Sequence, residues 1–174
     1  MKAFIDRLSE PTPLLFDGGF GTQLFERGVE LPNSSLANQS HPDTVVALHR
    51  EYIRAGSDII QSNSFVASQL HLEMADSIDG DAHQLALLAA GHARRAVEEE
   101  GREVYVAGSI GPSPGAIEAD TGDTVFGIAN HKVRTAHEQV AAGLAEGGVD
   151  LFCLETMFSA KEAAVAVDVA RQYG

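Results

Sequence analysis

Four short apolar runs, spaced almost evenly along the 174 residues, constrain the fold of this chain more than any other feature. The runs are Leu14–Phe16, Asp58–Gln61, Val104–Ala107 and Leu151–Leu154, and their first residues lie about 45 positions apart. Their apolar residues do not alternate with polar ones, which is typical of strands buried on both faces of a parallel sheet. Because each interval has room for a helical crossover, the sequence predicts an α/β fold with parallel strands.

The segments between the runs carry helix signals. Helices are predicted over 41–55, 82–100, 129–146 and 159–173, and glycines at or near their ends close the first three. Long loops are predicted over 29–41, after one short helical turn, and over 110–128, directly after a strand. In α/β folds functional residues collect at this carboxyl end of the sheet.

Four strands are half of an eight-stranded (β/α) barrel, which typically needs about 250 residues. The pattern therefore predicts a single domain over 1–174 that is either a small open sheet or part of something larger.

The stretch DGGFG at 17–21 is the first candidate site. Asp17 ends a predicted strand, Gly18 and Gly19 allow positive φ and close approach of a ligand, and a helix is predicted to begin at Gly21. The free N–H groups of that helix start favour a carboxylate or phosphate. A plain strand-to-helix turn is the alternative interpretation.

Two further strand ends carry polar side chains. Ser62 begins a Ser-Asn-Ser stretch, for which helix capping by Asn63 or Ser64 is the alternative role. Glu155 follows four apolar residues, and a buried carboxylate needs a partner such as an ammonium group or, alternatively, Lys161 or a helix start. The sequence predicts that Asp17, Ser62 and Glu155 share one rim suited to a zwitterion such as an amino acid. An unrelated enzyme with Asp17 and Glu155 as acid and base stays open.

Other features limit the function classes. The net charge of −13 argues against nucleic acid and anionic membranes as partners. No 18-residue apolar run and no apolar signal core are found, which argues against a membrane span and a secretion signal, and the single cysteine favours a reducing cytoplasm. Cys153 is the only cysteine and is predicted to be a packed core thiol. Histidines, among them His83, His92, His131 and His137, lack metal-ligand spacing and are expected at the surface or at helix ends.

The ordered motifs DGGFGTQLFERG (17–28), HPDTVVALHREYIRAGSDIIQSNSF (41–65), VAGSIGPSPG (106–115) and EGGVDLFCLETMFSAKEA (146–163) resemble those of the homocysteine S-methyltransferase family. The resemblance covers about 5–174 and implies a (β/α) TIM-barrel type of fold, of which about the first four β/α units are present as a half barrel. It implies methyl transfer to the homocysteine thiol, which makes methionine.

The resemblance also implies roles for particular residues. Asp17 and Gly18 match the turn that holds the homocysteine backbone, Glu155 matches the carboxylate that receives the ammonium group, and Ser62 matches a hydroxyl position. Phe20 and Phe65 match positions that line the substrate pocket.

The family activates homocysteine on Zn²⁺ held by cysteines that match no residue of this sequence, so no zinc is expected here. The chain is therefore expected to supply the homocysteine-binding half of a methyltransferase, completed by a C-terminal half or a second copy. The alternative is a non-catalytic module that self-associates. Betaine, S-methylmethionine and methylcobalamin all remain open as methyl donors.

Overall fold

A parallel three-stranded sheet lies at the centre of the molecule, as seen in a computed structural model that describes residues 2–77 and 80–174. The strands are β1 (Ile59–Gln61), β2 (Tyr105–Ile110) and β3 (Leu151–Leu154), in the spatial order β1-β2-β3. Gln61 pairs with Ala107, and Ser109 pairs with Cys153. The predicted α/β class with parallel strands is confirmed.

The first predicted strand, Leu14–Phe16, is reduced to one parallel bridge between Phe16 and Ile59. Its prediction as a strand buried on both faces was wrong: Leu15 is 58% exposed and Phe16 is 41% exposed. This segment pairs with β1 through short backbone contacts at Leu15 and Asp17, and no described strand covers its other edge.

Helices connect and flank the strands. They are α1 (Phe4–Leu8), α2 (Phe20–Glu26), α3 (Ala37–Ser40), α4 (Pro42–Ala55), α5 (Gln69–Met74), α6 (Ala82–Glu100), α7 (Glu118–Thr121), α8 (Asn130–Glu146) and α9 (Ala160–Ala170). The predicted helix over 82–100 coincides with α6, which begins at an Asp81 cap and ends at Gly101 with positive φ. The prediction over 159–173 was too long, because α9 ends at Ala170.

The two predicted loops contain regular structure. A 3₁₀ turn (Ser34–Leu36) and α3 occupy much of 29–41, and the buried Asn33 caps the turn by accepting a hydrogen bond from the Ser35 N–H. β2 extends to Ile110, and α7 and a bridge between Ile117 and Ile128 order the segment 110–128. Among these elements only the 3₁₀ turn has a side-chain cap, and α3 and α7 are four residues long, too short for hydrophobic periodicity to reveal them.

The two faces of the sheet have different neighbours. Ile60 and Val106 pack with Val46 and Ile53 of α4 and with the alanines of α6, which forms the core between sheet and helices. The opposite face carries Ile59, Tyr105 and Ala107. Phe4 of α1 packs on this face, with its ring edge-on to the Tyr105 ring. β3 is half-buried along its whole length, because only β2 pairs with it among the described residues.

Two equivalent joints connect helices to strands. Asp58 accepts a hydrogen bond from the Leu15 N–H and lies 3.3 Å from Arg102, whereas Asp150 accepts one from the Val106 N–H and lies 2.7 Å from Arg94. Each aspartate thereby holds the start of the preceding parallel segment. In the described part of the chain, no helix has the length and apolarity needed to cross a membrane.

Candidate functional site

A cavity of about 480 Å³ lies at the carboxyl end of the sheet. Its lining includes all six residues singled out from the sequence, namely Asp17, Gly18, Phe20, Ser62, Phe65 and Glu155. Gln61, Asn63, Ser109 and Thr156 line it as well. The structure thus brings the predicted residues together, while their role as substrate contacts stays a prediction.

Each of four successive parallel segments contributes at least one polar residue to this cavity, among them Asp17, Gln61, Ser109 and Glu155. The strand register explains why they meet. Gln61 pairs with Ala107, Ser109 lies two positions further along β2, and Ser109 pairs with Cys153, two positions before Glu155. Since side chains alternate between the faces of a sheet, Gln61, Ser109 and Glu155 point to the same face. Asp17 follows the bridge between Phe16 and Ile59 and lines the cavity from the end of its segment.

Gln61 connects the two acidic side chains. Its backbone N–H donates to Asp17 Oδ2 at 2.9 Å, and its side-chain amide donates to Glu155 Oε1 at 2.8 Å. Ser109 Oγ donates to the same Glu155 oxygen at 2.5 Å. These contacts hold two carboxylates beside one cavity at fixed positions, and Lys161, the alternative partner of Glu155, contacts Asp120 instead.

Asp17 is the acidic residue of the site whose carboxylate is not fully hydrogen-bonded. Its Oδ1 is buried and has no hydrogen-bond partner among the described residues. Burial, with a smaller contribution from the nearby Glu155 charge, raises the pKa of Asp17 to about 7. A carboxylate held in this way lacks a cation or a donor, and an ammonium group of a ligand could supply both.

Gly18 is needed for close packing. Gly18 and Gly19 would allow positive φ, but neither adopts it. A Cβ on Gly18 would instead lie 3.1 Å from the Tyr52 ring, whose hydroxyl donates to the Gly19 carbonyl. The absence of a side chain lets Tyr52 of α4 hold the turn, and α2 begins at Phe20, one residue before the predicted start.

Ser62 and Ser64 connect the ends of β1 and β2. Ser62 Oγ accepts a hydrogen bond from the Ser109 N–H and pairs with Ser64 Oγ, which in turn bonds the Ser109 carbonyl. The Ser62 hydroxyl is therefore part of a buried network in addition to lining the cavity.

Aromatic rings form the apolar walls. Phe20 packs on His49, with ring centroids 4.7 Å apart, and His49 is fully buried with both nitrogens unpartnered within the described chain. Burial lowers the pKa of His49 to about 3, so the ring is neutral. Phe65 packs against Gly111, where a Cβ would overlap the Phe65 backbone and ring. A small residue is therefore required at Gly111 to place Phe65.

Two expectations concern titratable residues. Cys153 is half-buried, packs against the core cluster of Ile59, Tyr105 and Ala107 as a packed thiol should, and lies 3.5 Å from the Gln61 side-chain amide; burial raises the pKa of its thiol. His137 is buried beside Glu162, not at the surface, because Glu162 supplies a hydrogen-bond partner from α9.

Zinc is the cofactor that the family resemblance implies. Among residues 2–77 and 80–174, no group of three or more histidine, cysteine, aspartate or glutamate side chains could hold a metal ion. The side chains of the site, with one cysteine and two separated carboxylates, do not fit a thiolate zinc centre.

A family model for homocysteine S-methyltransferase matches residues 14–173. The chain belongs to this family. It is 32% identical over 166 residues to methionine synthase of Mycobacterium tuberculosis, covering 87% of this chain and 13% of that protein. It is 29% identical over 180 residues to betaine–homocysteine S-methyltransferase 1 of Bos taurus, covering 99% of this chain and 41% of that protein. The family resemblance seen in the motifs is confirmed.

The fold has a matching solved relative. The metallated homocysteine methyltransferase MmuM of Escherichia coli superposes with a TM-score of 0.77 at 22% identity. The match covers 97% of this chain and 62% of MmuM, so the fold is similar over nearly the whole sequence. This family member thus spans less than two thirds of the length of each of these three relatives.

Sequence reasoning missed Gln61, Ser109 and Tyr52. Gln61 was the polar last residue of an apolar run, and Ser109 lies at the inward alternation of β2, two positions past the predicted end of that strand. The polar residues at the strand ends could have been found from the sequence. Tyr52 could not, because it looked like an ordinary residue of the apolar stripe of α4.

Proposed function

We propose that this chain supplies the amino-acid-binding half of a homocysteine S-methyltransferase, which forms methionine by methylating the homocysteine thiol. The observation that carries the proposal is the pair of carboxylates, Asp17 and Glu155, fixed by Gln61 beside one cavity with an unpartnered Asp17 oxygen. Family membership supports homocysteine as the amino acid.

Each part of homocysteine has a complementary group in the cavity. The ammonium group is received by Glu155 and Asp17, which both line the cavity. The carboxylate is placed at the backbone N–H groups of the turn around Gly18, at the start of α2. The apolar arm packs between Phe20 and Phe65. The chemistry at the thiol is left to groups outside these residues, including any zinc ligands.

The decisive experiment is calorimetric titration with homocysteine and two truncated analogues. We expect 4-mercaptobutanoate, which lacks the ammonium group, and 3-aminopropane-1-thiol, which lacks the carboxylate, to bind at least about tenfold more weakly than homocysteine. Glu155→Gln weakens homocysteine binding but leaves 4-mercaptobutanoate unaffected, since that ligand makes no ammonium contact.

Glu138→Gln is the matched control, because Glu138 is a glutamate on the outer helix α8 and lies away from the cavity. Equal affinity of the wild type for all three ligands, or unchanged homocysteine binding in Glu155→Gln, would refute the proposal.

We further propose that a complementing C-terminal half covers the open edge of β3. The described chain pairs β3 on one edge only, and a groove lined by Leu151, Leu154, Val167 and Tyr173 runs beside it. Sedimentation of the chain alone tests the alternative, a self-associating module. A concentration-dependent dimer supports self-association, and a monomer that gains methyl transfer with a C-terminal segment supports complementation.

A further inference from the structure

The 17–20 turn joins the first parallel segment to α2 and carries three residues of the candidate site, Asp17, Gly18 and Phe20. The sheet fixes this turn only at Asp17. The Asp17 backbone N–H donates to β1 at 3.0 Å, and Asp17 Oδ2 accepts a hydrogen bond from the Gln61 N–H at 2.9 Å. The position of the other two site residues must therefore be set by a different element.

One side of α4 holds the second half of the turn. Tyr52 Oη donates a hydrogen bond to the Gly19 carbonyl at 2.9 Å, and a Cβ at Gly18 would lie 3.1 Å from the Tyr52 ring. His49, almost one helical turn earlier, packs its ring on Phe20 with ring centroids 4.7 Å apart. Because residues three positions apart are neighbours on a helix, Tyr52 and His49 contact the turn from the same side.

The position of α4 is fixed independently of the turn. Val46 and Ile53 pack into the core between the sheet and the helices. Arg50 contacts Glu99 at 2.7 Å and Glu100 at 2.6 Å, and these ion pairs connect α4 to α6. A hydrogen bond from Tyr52 therefore ties the turn to an element that is itself well anchored.

The Tyr52 hydroxyl is close enough to Asp17 for the two groups to influence each other. Burial, and then the charge of Asp17, raise the pKa of Tyr52, so the hydroxyl is protonated at neutral pH and can donate. Asp17 Oδ1 is buried without a partner among the described residues. If the turn opened, water would reach this oxygen and solvate the carboxylate.

We propose that Tyr52 is a positioning residue for the amino-acid site: by holding the Gly19 carbonyl, its hydroxyl keeps Asp17 and Phe20 in the arrangement that the ligand requires. The inference rests on the proposed function for the identity of the ligand, homocysteine. Tyr52 lies outside the lining of the cavity, so it acts through the turn and not by touching the ligand.

The test compares Tyr52→Phe with Tyr105→Phe. Tyr105 is the matched control, because its hydroxyl also donates to a backbone carbonyl at 2.9 Å, that of Lys2, but from the first residue of β2, at the end of the sheet away from the cavity. By calorimetry at pH 8, where Asp17 is mostly ionised, Tyr52→Phe should weaken homocysteine binding about fivefold. Tyr105→Phe should leave it unchanged. Thermal melts check that both variants are folded.

A measurement on the free protein tests the same role without homocysteine. Titration followed by carboxyl NMR should give a pKa of about 7 for Asp17 in the wild type and in Tyr105→Phe. In Tyr52→Phe the pKa of Asp17 should fall towards its ordinary value, because water reaches Oδ1. A change in stability alone would not produce this difference between the two variants.

Two results overturn the role of Tyr52: the same Asp17 pKa in all three proteins, or the same homocysteine affinity in the two variants. A wild type that does not bind homocysteine refutes the proposed function instead. The Asp17 titration then decides the role of Tyr52 by itself.

Discussion

Two acidic residues at the same end of the sheet, Asp17 and Glu162, differ in their hydrogen-bond donors and in the direction of their pKa shifts. Glu162 is surrounded by three donors on one oxygen, and its pKa lies below the ordinary value. Asp17 receives one backbone hydrogen bond, keeps a buried oxygen unpartnered, and its pKa is raised to about 7. A buried carboxylate oxygen that several donors contact stabilises the protein, whereas one without a donor costs stability and is available to a ligand.

The largest expected difference is in stability. Glu162→Ala should lower the free energy of unfolding by about 3–5 kcal/mol, because it leaves buried donors on Ser113 and His137 without an acceptor. Urea denaturation at neutral pH measures this value. Glu138→Ala, a surface control, should change it by less than about 0.5 kcal/mol. A loss below about 1 kcal/mol in Glu162→Ala would show that the cluster is not a structural anchor.

Asp17→Asn should change stability in the opposite direction to Glu162→Ala. It should raise the free energy of unfolding at pH 8 by about 2 kcal/mol. The folded-state pKa of Asp17 lies above its unfolded value, so the wild type is most stable when Asp17 is protonated and loses stability as pH rises from about 4 through about 7. The variant has no such charge to desolvate. Denaturation curves at pH 5 and pH 8 measure the effect, and a variant less stable than wild type at pH 8 contradicts it.

Homocysteine binding should also depend on the protonation state of the Asp17 carboxyl. Affinity is expected to rise by roughly tenfold between pH 6 and pH 8, with a midpoint near the Asp17 pKa of about 7, because the ionised carboxylate receives the ammonium group. Calorimetry across this range tests the expectation, and Asp17→Asn should give a flat profile. Tighter binding at pH 6 than at pH 8 would instead indicate that protonated Asp17 contacts the substrate carboxylate.

The smallest effects come from a matched pair of serines. Ser113 donates to Glu162 and Ser109 donates to Glu155. Ser113→Ala should lower the free energy of unfolding by about 1 kcal/mol without changing homocysteine affinity. Ser109→Ala should weaken homocysteine binding by about fivefold, because Glu155 loses one of the two groups that orient it. If both substitutions lower stability and neither changes homocysteine affinity, the expected difference between the two serines is refuted.

The local elements were largely predictable. Period-3.6 apolar stripes, caps and closing glycines define α4, α6 and α8, and short unbroken apolar runs define β1, β2 and β3. The first run was not a strand because its pairing is limited to a single bridge at the edge of the sheet. Asp17, Ser62 and Glu155 were accessible from sequence because a polar residue that ends a parallel strand lies at a known edge.

What the sequence by itself determined is therefore the class of fold, the family and the edge of the sheet on which the polar residues lie, since these follow from local patterns and from motif order. The tertiary structure alone decided that Gln61 joins the two carboxylates, that Asp17 lacks a partner and that Glu162 has three. Those facts depend on strand register and on contacts between residues about 25 to 95 positions apart, which side-chain composition along the chain does not encode.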